Sequence, residues 1–212
     1  MTRLLPGPRI AVIGDSVSRY STTAAANRWP NLLAAEFAAL GYSPALWNWG
    51  VSGQSSVWFA ETYLAERITG PFAAVRPDVL FIELGTNDLQ AFNGGTVSYT
   101  SARLQANIAT IIAAAQSANA SVKVLACNLV HKMGDAAYDT NVAEYNAVTV
   151  AAASAGGVIA GDIYNAYGYA DRFTHTADFI HPNDTGHAAI AAVLWPVIQA
   201  ANWHTDDYPR LR

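Results

Sequence analysis

Three side chains far apart in the chain have the types that nucleophilic catalysis requires. Ser16 follows an apolar run at residues 10–13, and Asp178 stands three residues before His181. A serine hydroxyl attacks a carbonyl carbon only when a neighbouring base takes its proton, and histidine is the usual base. A carboxylate beside that histidine fixes its tautomer and stabilises its protonated ring. Ser16, His181 and Asp178 are therefore candidate catalytic residues for ester hydrolysis, with Ser16 as the nucleophile.

Ester hydrolysis also needs hydrogen-bond donors where negative charge develops on the carbonyl oxygen, each worth about 3 kcal/mol of the barrier. We predict that the backbone N–H groups of Ser16 and Gly53 and the side-chain amide of Asn87 form this oxyanion hole. Gly53 has no side chain to block an approaching substrate. All the groups that the reaction needs are thus present, although they are spread over most of the chain.

The elements that must position these groups alternate between short apolar runs and longer helical patterns. Such alternation predicts βαβ units and a parallel sheet. The predicted strands are residues 9–14, 45–51, 78–84, 122–129 and 157–163. The predicted helices are residues 30–40, ended by Gly41, then 57–68, 102–118, 142–153 and 185–200.

These elements predict one α/β domain over residues 1–212, with five parallel strands and helices on both faces of the sheet. Sites in open parallel sheets form at the carboxyl ends of strands, near the switch in strand order. Polar stretches follow the first three predicted strands, at residues 14–18, 48–53 and 85–88, and another, at residues 178–182, precedes the last helix. The sequence therefore predicts that the candidate residues meet at one edge of the sheet.

Composition excludes several classes of protein. Hydrophobic residues make up 52% of the chain and charged residues 13%, which excludes a disordered chain. The net charge is −4, Lys123 and Lys132 are the only lysines, and the arginines are scattered, so we do not expect a nucleic acid partner. No apolar run approaches the roughly 20 residues of a transmembrane helix. Cys127 is the only cysteine, and its apolar surroundings predict a buried, unreactive thiol.

The beginning of the chain lacks the apolar stretch and cleavage site of a classical secretory signal. We therefore expect a protein that is cytoplasmic, exported by another route or associated with a particle. The sequence makes no prediction of its oligomeric state.

Four short blocks in this order resemble the SGNH (GDSL-like) hydrolase family. They are residues 14–16 (Gly-Asp-Ser), 48–53, 85–88 and 178–181, and valine stands at position 17 where the GDSL form has leucine. The resemblance extends over about residues 9–200 and implies a flavodoxin-like, three-layer α/β/α sandwich. It also implies Ser16 as nucleophile, Gly53 and Asn87 in the oxyanion hole, and His181 as base with Asp178 behind it. No Gly-x-Ser-x-Gly nucleophile elbow occurs in the chain, unlike in ordinary α/β-hydrolases.

Several of these residues have structural alternatives. Ser16 could cap the helix that follows it, and Asn87 could cap a helix or form a turn. Gly53 could be required by backbone geometry alone, which is compatible with an oxyanion role. For Asp15 and Asp88 we expect the structural role, in which the side chain bonds backbone groups and holds a turn.

A metal site at Asp178, His181, Asp184 and His187 is a weaker alternative. His and Asp are good ligands, but the spacing matches no standard zinc signature, and we expect neither a metal nor a cofactor. His187 is predicted to pack near the site in the first turns of the last helix. His131, His175 and His204 have no evident partners in the sequence and are assigned to loops or the surface.

Aromatic residues near the glycine block have two interpretations. Trp47, Trp49, Trp58 and Phe59 are expected to pack in the core, and Trp58 is also a candidate for lining an acyl or sugar pocket. Tyr164, Tyr167 and Tyr169 are similar candidates on a loop before the histidine block.

The function predicted from these observations is a serine esterase that forms an acyl-enzyme on Ser16. The expected substrate is a small-molecule or glycan ester with a short acyl group such as acetyl. Two rivals remain. One is a catalytically weak or inactive module of the same fold, for example a virion-associated protein that contacts a glycan. The other is a phosphoryl-transfer enzyme, for which the sequence has no matching motif.

Overall fold

The core of the molecule is one five-stranded sheet. In the computed structural model, which describes residues 4–19, 23–130, 136–167, 171–178, 180–205 and 208, all strand pairs are parallel. The strand order is β2-β1-β3-β4-β5. The strands are β1 Leu5–Gly14, β2 Tyr42–Asn48, β3 Val79–Glu83, β4 Lys123–Cys127 and β5 Ile159–Gly161. The strand order reverses at the β1–β3 pair, which is where the sequence placed the site.

The central strands are apolar on both faces, as strands covered by helices on two sides must be. In β1, Ile10 and Val12 face one core, whereas Ala11 and Ile13 face the other. The register pairs Ile10 with Val79 and continues to Gly14 opposite Glu83. The two strands therefore end side by side, and the turns that follow them are neighbours.

Helices cover both faces and complete the three layers that the sequence predicted. The principal helices are α1 Ser16–Arg19, α2 Trp29–Ala39, α3 Ser56–Trp58, α4 Gly70–Val75, α5 Thr86–Asn93, α6 Ser101–Ala118, α7 Ala136–Ala155, α8 Arg172–His175 and α9 Asp184–Ala200. Short 3₁₀ turns at Ala25–Asn27, Tyr164–Ala166 and Trp203–Thr205 complete the connections. Among the described helices, none is long and apolar enough to cross a membrane.

Two hydrophobic cores hold these layers together. The first lies between the sheet and the helices from α3 to α7, with Phe59, Phe72, Leu104 and Ile108 fully or almost fully buried. The second lies between the sheet and helices α2 and α9, which supply residues such as Trp29, Phe37, Leu194 and Ile198. Burial of a large apolar side chain stabilises the fold by about 1.5–3 kcal/mol, so both helical layers are firmly attached.

The helix predicted at residues 57–68 differs from the structure. The helical segment begins at Ser56 and continues through π-helical turns at Phe59–Thr69 into α4, which ends at Val75. The prediction stopped before Gly70 and Pro71, but proline is tolerated in the first turn of a helix, and here it opens α4. The end of α2 agrees with prediction, since Gly41 follows it with a φ of 91°.

Candidate active site

The nucleophile candidate lies on a tight turn directly after β1. Ser16 begins α1 and is 5% exposed. Asp15 rather than Ser16 accepts a hydrogen bond at the start of this helix, from the Val17 N–H at 2.8 Å. A Cβ on Gly14 would overlap the Ser18 hydroxyl and lie 3.0 Å from the Glu83 carbonyl oxygen. The turn is therefore packed against β3, and Ser16 is held at the carboxyl edge of the sheet.

Ser16, His181 and Asp178 form a continuous hydrogen-bonded chain. The His181 Nε2 atom is 2.9 Å from the Ser16 Oγ atom, and the His181 Nδ1 atom is 2.7 Å from an Asp178 carboxylate oxygen. This geometry lets Nδ1 keep its proton on the Asp178 side while Nε2 accepts the serine proton. The structure thus brings together the three side chains that the sequence singled out, and their arrangement suits nucleophilic catalysis.

The loop that carries Asp178 and His181 is held by local bonds. The other Asp178 oxygen accepts the backbone N–H groups of Ile180 and His181 at 3.2 and 2.8 Å. The Ala177 N–H donates to the His181 carbonyl at 2.8 Å, and Thr176 pairs with Pro182 in an antiparallel bridge. Partial burial alone would raise the pKa of Asp178, but hydrogen bonds from the His181 backbone and ring outweigh it and lower that pKa. Asp178 is thus stabilised as the carboxylate that a protonated His181 ring requires.

Gly53 lies in a turn that continues β2. The Trp49 and Val51 N–H groups donate to the Val12 and Gly14 carbonyls, both at 2.9 Å, so the backbone beyond β2 stays attached to β1. Gly53 has a φ of 78°, and a Cβ there would meet no protein atom within 4 Å. Its backbone angle, rather than lack of space in the protein, therefore explains the glycine, and its outer side is open to a substrate.

Asn87 lies in the first turn of α5, next to Gly53. Its Nδ2 atom donates both hydrogens, one to an Asp15 carboxylate oxygen and one to the Gln54 carbonyl oxygen, each at 3.0 Å. The α5 N-cap position is Gly85, which makes no side-chain cap bond, so Asn87 is not the cap of this helix. An oxyanion can receive a hydrogen bond from Asn87 only if it replaces one of these two acceptors.

Asp88 has the structural role that the sequence predicted. It is buried, and its two oxygens accept the Ser56 N–H and hydroxyl at 2.8 and 2.6 Å. Asn107 donates to the same hydroxyl at 3.0 Å. This cluster joins the start of α3 to α5 and α6. It therefore fixes the chain just after the Gly53 turn.

Asp15 and Glu83 form a buried acidic pair that sequence analysis missed. Both residues are 0% exposed. Burial raises the pKa of Asp15 to about 7, although bonds from Val17 and Asn87 oppose that rise. Burial, then the neighbouring Asp15 charge, raises the pKa of Glu83 well above its ordinary range. A glutamate inside an otherwise apolar strand run was the available signal, since an acidic group is almost never fully buried without a partner.

A cavity of about 300 Å³ lies beside the candidate oxyanion hole. Gly53 and Asn87 form one side of it, and Trp58, Glu61 and Tyr99 are among the other lining residues. The Trp58 ring is half-buried and stacks on Tyr63 with ring centroids 4.2 Å apart. Trp58 therefore packs against the core, as predicted, and also lines this cavity; a role in holding an acyl group or a sugar stays a prediction.

Glu61 gives the cavity a charged rim. Its carboxylate forms an ion pair with Arg103 at 2.5 Å. Both side chains are substantially exposed, so the pair contributes little to stability. It does provide hydrogen-bonding groups next to the Trp58 and Tyr99 rings.

The other aromatic candidates lie elsewhere. Tyr167 is 3% exposed and packs in the second core, so its predicted role on a substrate loop is wrong. Tyr164 packs partly against the first core. Tyr169 and His131 lie outside the described residues. Cys127 is buried as predicted, and burial raises the pKa of its thiol.

The remaining histidines have structural partners. His187 is fully buried in α9, and its Nδ1 atom accepts the Trp29 N–H at 3.4 Å. His175 was predicted to lack partners, but its ring stacks on Tyr167 with centroids 5.3 Å apart. His204 packs its ring edge-on against Trp195. Within the described part of the chain, no three His, Cys, Asp or Glu side chains come together in a group that could hold a metal ion.

A Ser-His-Asp chain at the carboxyl edge of a doubly wound parallel sheet is an architecture of serine hydrolases. The chain belongs to the GDSL-like lipase/acylhydrolase family, whose sequence profile matches residues 12–189. The match contains Ser16, Gly53, Asn87, Asp178 and His181. A comparison with curated protein sequences gives no significant match.

Solved structures with the same fold include several esterases. The crystal structure of TesA is 23% identical, with a TM-score of 0.69 over 91% of this chain and 98% of that one. A mutant of Axe2, an acetyl-xylooligosaccharide esterase from Geobacillus stearothermophilus, is 15% identical, with a TM-score of 0.73 over 100% of both chains. The psychrotrophic esterase EstA from Pseudoalteromonas sp. is 18% identical, with a TM-score of 0.68 over 94% of this chain and 100% of that one. At these identities the likeness shows the fold.

Proposed function

We propose that the protein is a serine esterase that hydrolyses carboxylic esters of short acyl groups, with acetyl on a carbohydrate as the first candidate. The hydrogen-bonded chain from Ser16 through His181 to Asp178 is the observation that carries this proposal. Membership of the GDSL-like lipase/acylhydrolase family supports the general reaction. The cavity beside Asn87 supports the substrate class.

The proposed reaction has two steps. The Ser16 hydroxyl oxygen attacks the ester carbonyl carbon as His181 Nε2 takes its proton, and the same proton then passes to the departing alcohol as the ester C–O bond breaks. Water attacks the resulting acyl-enzyme, giving a proton to His181 and leaving the acid. His181 returns this proton to the Ser16 oxygen, and Asp178 stabilises the protonated ring in both steps. The reaction requires no cofactor.

The oxyanion formed in each step is proposed to bind the N–H groups of Ser16, Gly53 and Asn87. The Asn87 amide must first exchange one of its acceptors. The Gln54 carbonyl is the acceptor to be replaced, because it belongs to a half-exposed turn. Asp15 is buried, and in its ionised form it holds the amide by a charge-assisted bond, which is stronger than one to a neutral carbonyl.

The cavity suits a sugar better than a long acyl chain. Aromatic rings at Trp58 and Tyr99 offer flat apolar surface, and the Glu61–Arg103 pair offers hydrogen-bonding groups at the rim. Sugars use both kinds of contact, whereas an acyl chain gains nothing from a charged rim. One structural relative is described as an acetyl-xylooligosaccharide esterase, which supports the same class.

The test is hydrolysis of p-nitrophenyl acetate and p-nitrophenyl octanoate by the wild type and Ser16→Ala, with acetate release from acetylated xylooligosaccharide as a third assay. We expect hydrolysis that requires Ser16, a higher kcat/KM for acetate than for octanoate, and release of acetate from the oligosaccharide. Preference for octanoate would refute the short-acyl proposal. A folded wild type no faster than Ser16→Ala on all three substrates would refute the esterase and favour a binding module.

A further inference from the structure

Two carboxyl groups lie buried beneath the turn that carries Ser16. Glu83 ends β3 directly opposite Gly14, and the Asp15 N–H donates to the Glu83 carbonyl at 3.2 Å. Val79 and Phe81 face the second core, and side chains alternate along a strand, so Glu83 lies on that same face. In the proposed reaction Asp15 only keeps its hydrogen bond to the Asn87 amide, and Glu83 has no role.

Hydrogen bonding to the two groups is unequal. Asp15 accepts two N–H donors, from Val17 at 2.8 Å and from the Asn87 side chain at 3.0 Å. No N–H or hydroxyl group among the residues that the structure describes donates to either carboxyl oxygen of Glu83, and its side-chain hydrogen bond is with the Asp15 carboxyl. Donors to a carboxylate favour its charged form. Of the two groups, Asp15 is therefore the one equipped to carry a charge.

Among the described residues, the other titratable groups found to interact with the pair are Asp88 on α5, Cys127 on β4 and the Tyr167 hydroxyl. None of these three groups is cationic, so they add no positive charge that would stabilise a second carboxylate. Two adjacent buried carboxyl groups do not both ionise near neutral pH, because each charge opposes the other. One proton thus remains on the pair, and the donors around Asp15 direct it to Glu83.

We propose that Asp15 is a positioning residue of the oxyanion hole, which keeps the Asn87 amide in its catalytic orientation while Glu83 holds the proton of the pair. An ionised carboxylate accepts hydrogen bonds and donates none, so Asp15 binds the Nδ2 end of Asn87 and excludes the Oδ1 end. With one N–H fixed on Asp15, the other points toward the Gln54 carbonyl, where an oxyanion would replace it. This inference rests on the proposed function, since Asn87 has this task only if Ser16 attacks an ester.

Protonation of Asp15 would remove the fixed orientation of the Asn87 side-chain amide. A protonated carboxyl can donate to the Asn87 Oδ1 atom, which allows the amide to turn and to present an oxygen to the developing negative charge. Asp15→Asn creates the same ambiguity at every pH. Glu83→Gln, by contrast, replaces a protonated carboxyl with a neutral group of the same shape, so it keeps the Asp15 charge.

The experiment is a double-mutant cycle on p-nitrophenyl acetate with Asp15→Asn, Asn87→Ala, the double variant and Glu83→Gln. We expect Asn87→Ala to lower kcat by about 100-fold or more, and Asp15→Asn to lower kcat by about 10- to 100-fold with little change in KM. The double variant should be no slower than Asn87→Ala, because Asp15 acts through Asn87. Glu83→Gln should retain kcat within about threefold of the wild type, since its group stays neutral.

The proposal would be overturned if the double variant lost kcat by the product of the losses in Asp15→Asn and Asn87→Ala, because the two residues would then act independently. A Glu83→Gln variant that folds and loses as much kcat as Asp15→Asn would also overturn it, because Glu83 would then carry the charge. Carboxyl ¹³C NMR gives a readout that needs no activity. We expect Glu83 to be protonated at neutral pH and the Asn87 side-chain amide resonances to follow the titration of Asp15.

The inference would be overturned if the Asn87 amide resonances did not shift as Asp15 titrates, or if Glu83 were ionised at neutral pH. Either result would count even in an inactive protein. A wild type without Ser16-dependent hydrolysis would instead refute the esterase, and the NMR result would still decide the protonation of the pair. The failures of the two proposals are therefore distinguishable.

Discussion

The two halves of the candidate site are built differently. Ser16, Gly53 and Asn87 lie on turns that leave the buried strands, and backbone bonds to β1 and β3 hold these turns. Asp178 and His181 lie on a loop whose bonds are mostly local. The strand-end turns therefore share the stability of the sheet, whereas the loop is an attachment that substitutions can disturb without unfolding the domain. The comparison predicts which substitutions alter activity alone and which alter both activity and stability.

The largest expected effect is the loss of activity in His181→Ala. Removing the base lowers kcat by about 10⁴-fold or more in sites of this type. We expect this loss with almost no change in melting temperature, because the loop around His181 is held by backbone hydrogen bonds that the substitution leaves in place. Parallel measurements of kcat and thermal unfolding check the prediction. A large fall in melting temperature would show that the loop contributes to the stability of the core. It would then contradict the distinction between the loop and the strand-end turns.

Gly14→Ala should damage both activity and stability. The new methyl group would meet the Ser18 hydroxyl and the Glu83 carbonyl, and overpacking of this kind typically costs about 1–3 kcal/mol. The Ser16 turn must also shift, so we expect kcat to fall by about 10- to 100-fold. Gly70→Ala is the matched control, because a Cβ at Gly70 meets no atom within 4 Å. Chemical denaturation and kcat measurements on both variants test the prediction, and equal behaviour of the two would contradict it.

Asn183→Ala tests how the histidine loop is attached to α9. The Asn183 side chain accepts the Gly186 N–H at 3.1 Å and donates to the Thr174 carbonyl at 2.8 Å. Loss of such an N-cap costs about 1 kcal/mol of the free energy of unfolding, and we expect kcat to fall several-fold as His181 loosens. Asn165→Ala is the control, since Asn165 is exposed and, within the described part of the chain, its side chain bonds only Asp162, three residues away. An unchanged kcat in Asn183→Ala would show that the loop holds its shape without α9.

The smallest expected effect is on the pH dependence of stability and concerns His187. This residue follows the loop that carries Asp178 and His181, but its side chain is buried in the core. Burial, then the charge of Arg28, lowers the pKa of His187 to about 4. The unfolded chain binds a proton below about 6.5, so the stability contributed by neutral His187 is complete above that pH and is lost as the pH falls toward 4.

His187→Gln keeps an acceptor for the Trp29 N–H but cannot titrate. We expect its melting temperature to fall less steeply than that of the wild type between pH 6.5 and 4. Melting curves across this range provide the measurement. Parallel slopes would mean that His187 does not contribute to acid sensitivity.

The sequence predicted the fold and the residues of the hydrogen-bonded Ser-His-Asp chain, because both depend on local patterns. Apolar runs fixed the five strands, and the polar stretches after them indicated which residues meet. Strand ends were less certain. The second strand was predicted at residues 45–51, but the regular strand ends at Asn48. Beyond it, the Trp49 and Val51 N–H groups still donate to β1 although the chain is no longer part of the regular ladder.

Other features depend on side-chain directions that no pattern reveals. The double hydrogen bond of Asn87 requires knowledge of where Asp15 and Gln54 point. Tyr167 was only a candidate for lining a substrate pocket, and its ring packs in the second core instead. Glu83 lies within the strand predicted at residues 78–84, and its acidic side chain is the one sign in the sequence that this strand buries a titratable group.

The bond between the Gln54 carbonyl and Asn87 has a consequence for selectivity. A planar ester carbonyl is no better an acceptor than the peptide oxygen that it must displace, so in the proposed esterase this exchange contributes little to ground-state binding. A tetrahedral oxyanion is a much stronger acceptor and wins the exchange. The resting site thus filters ligands by charge rather than by shape. Phosphonates and boronates should consequently bind far more tightly than esters of equal size.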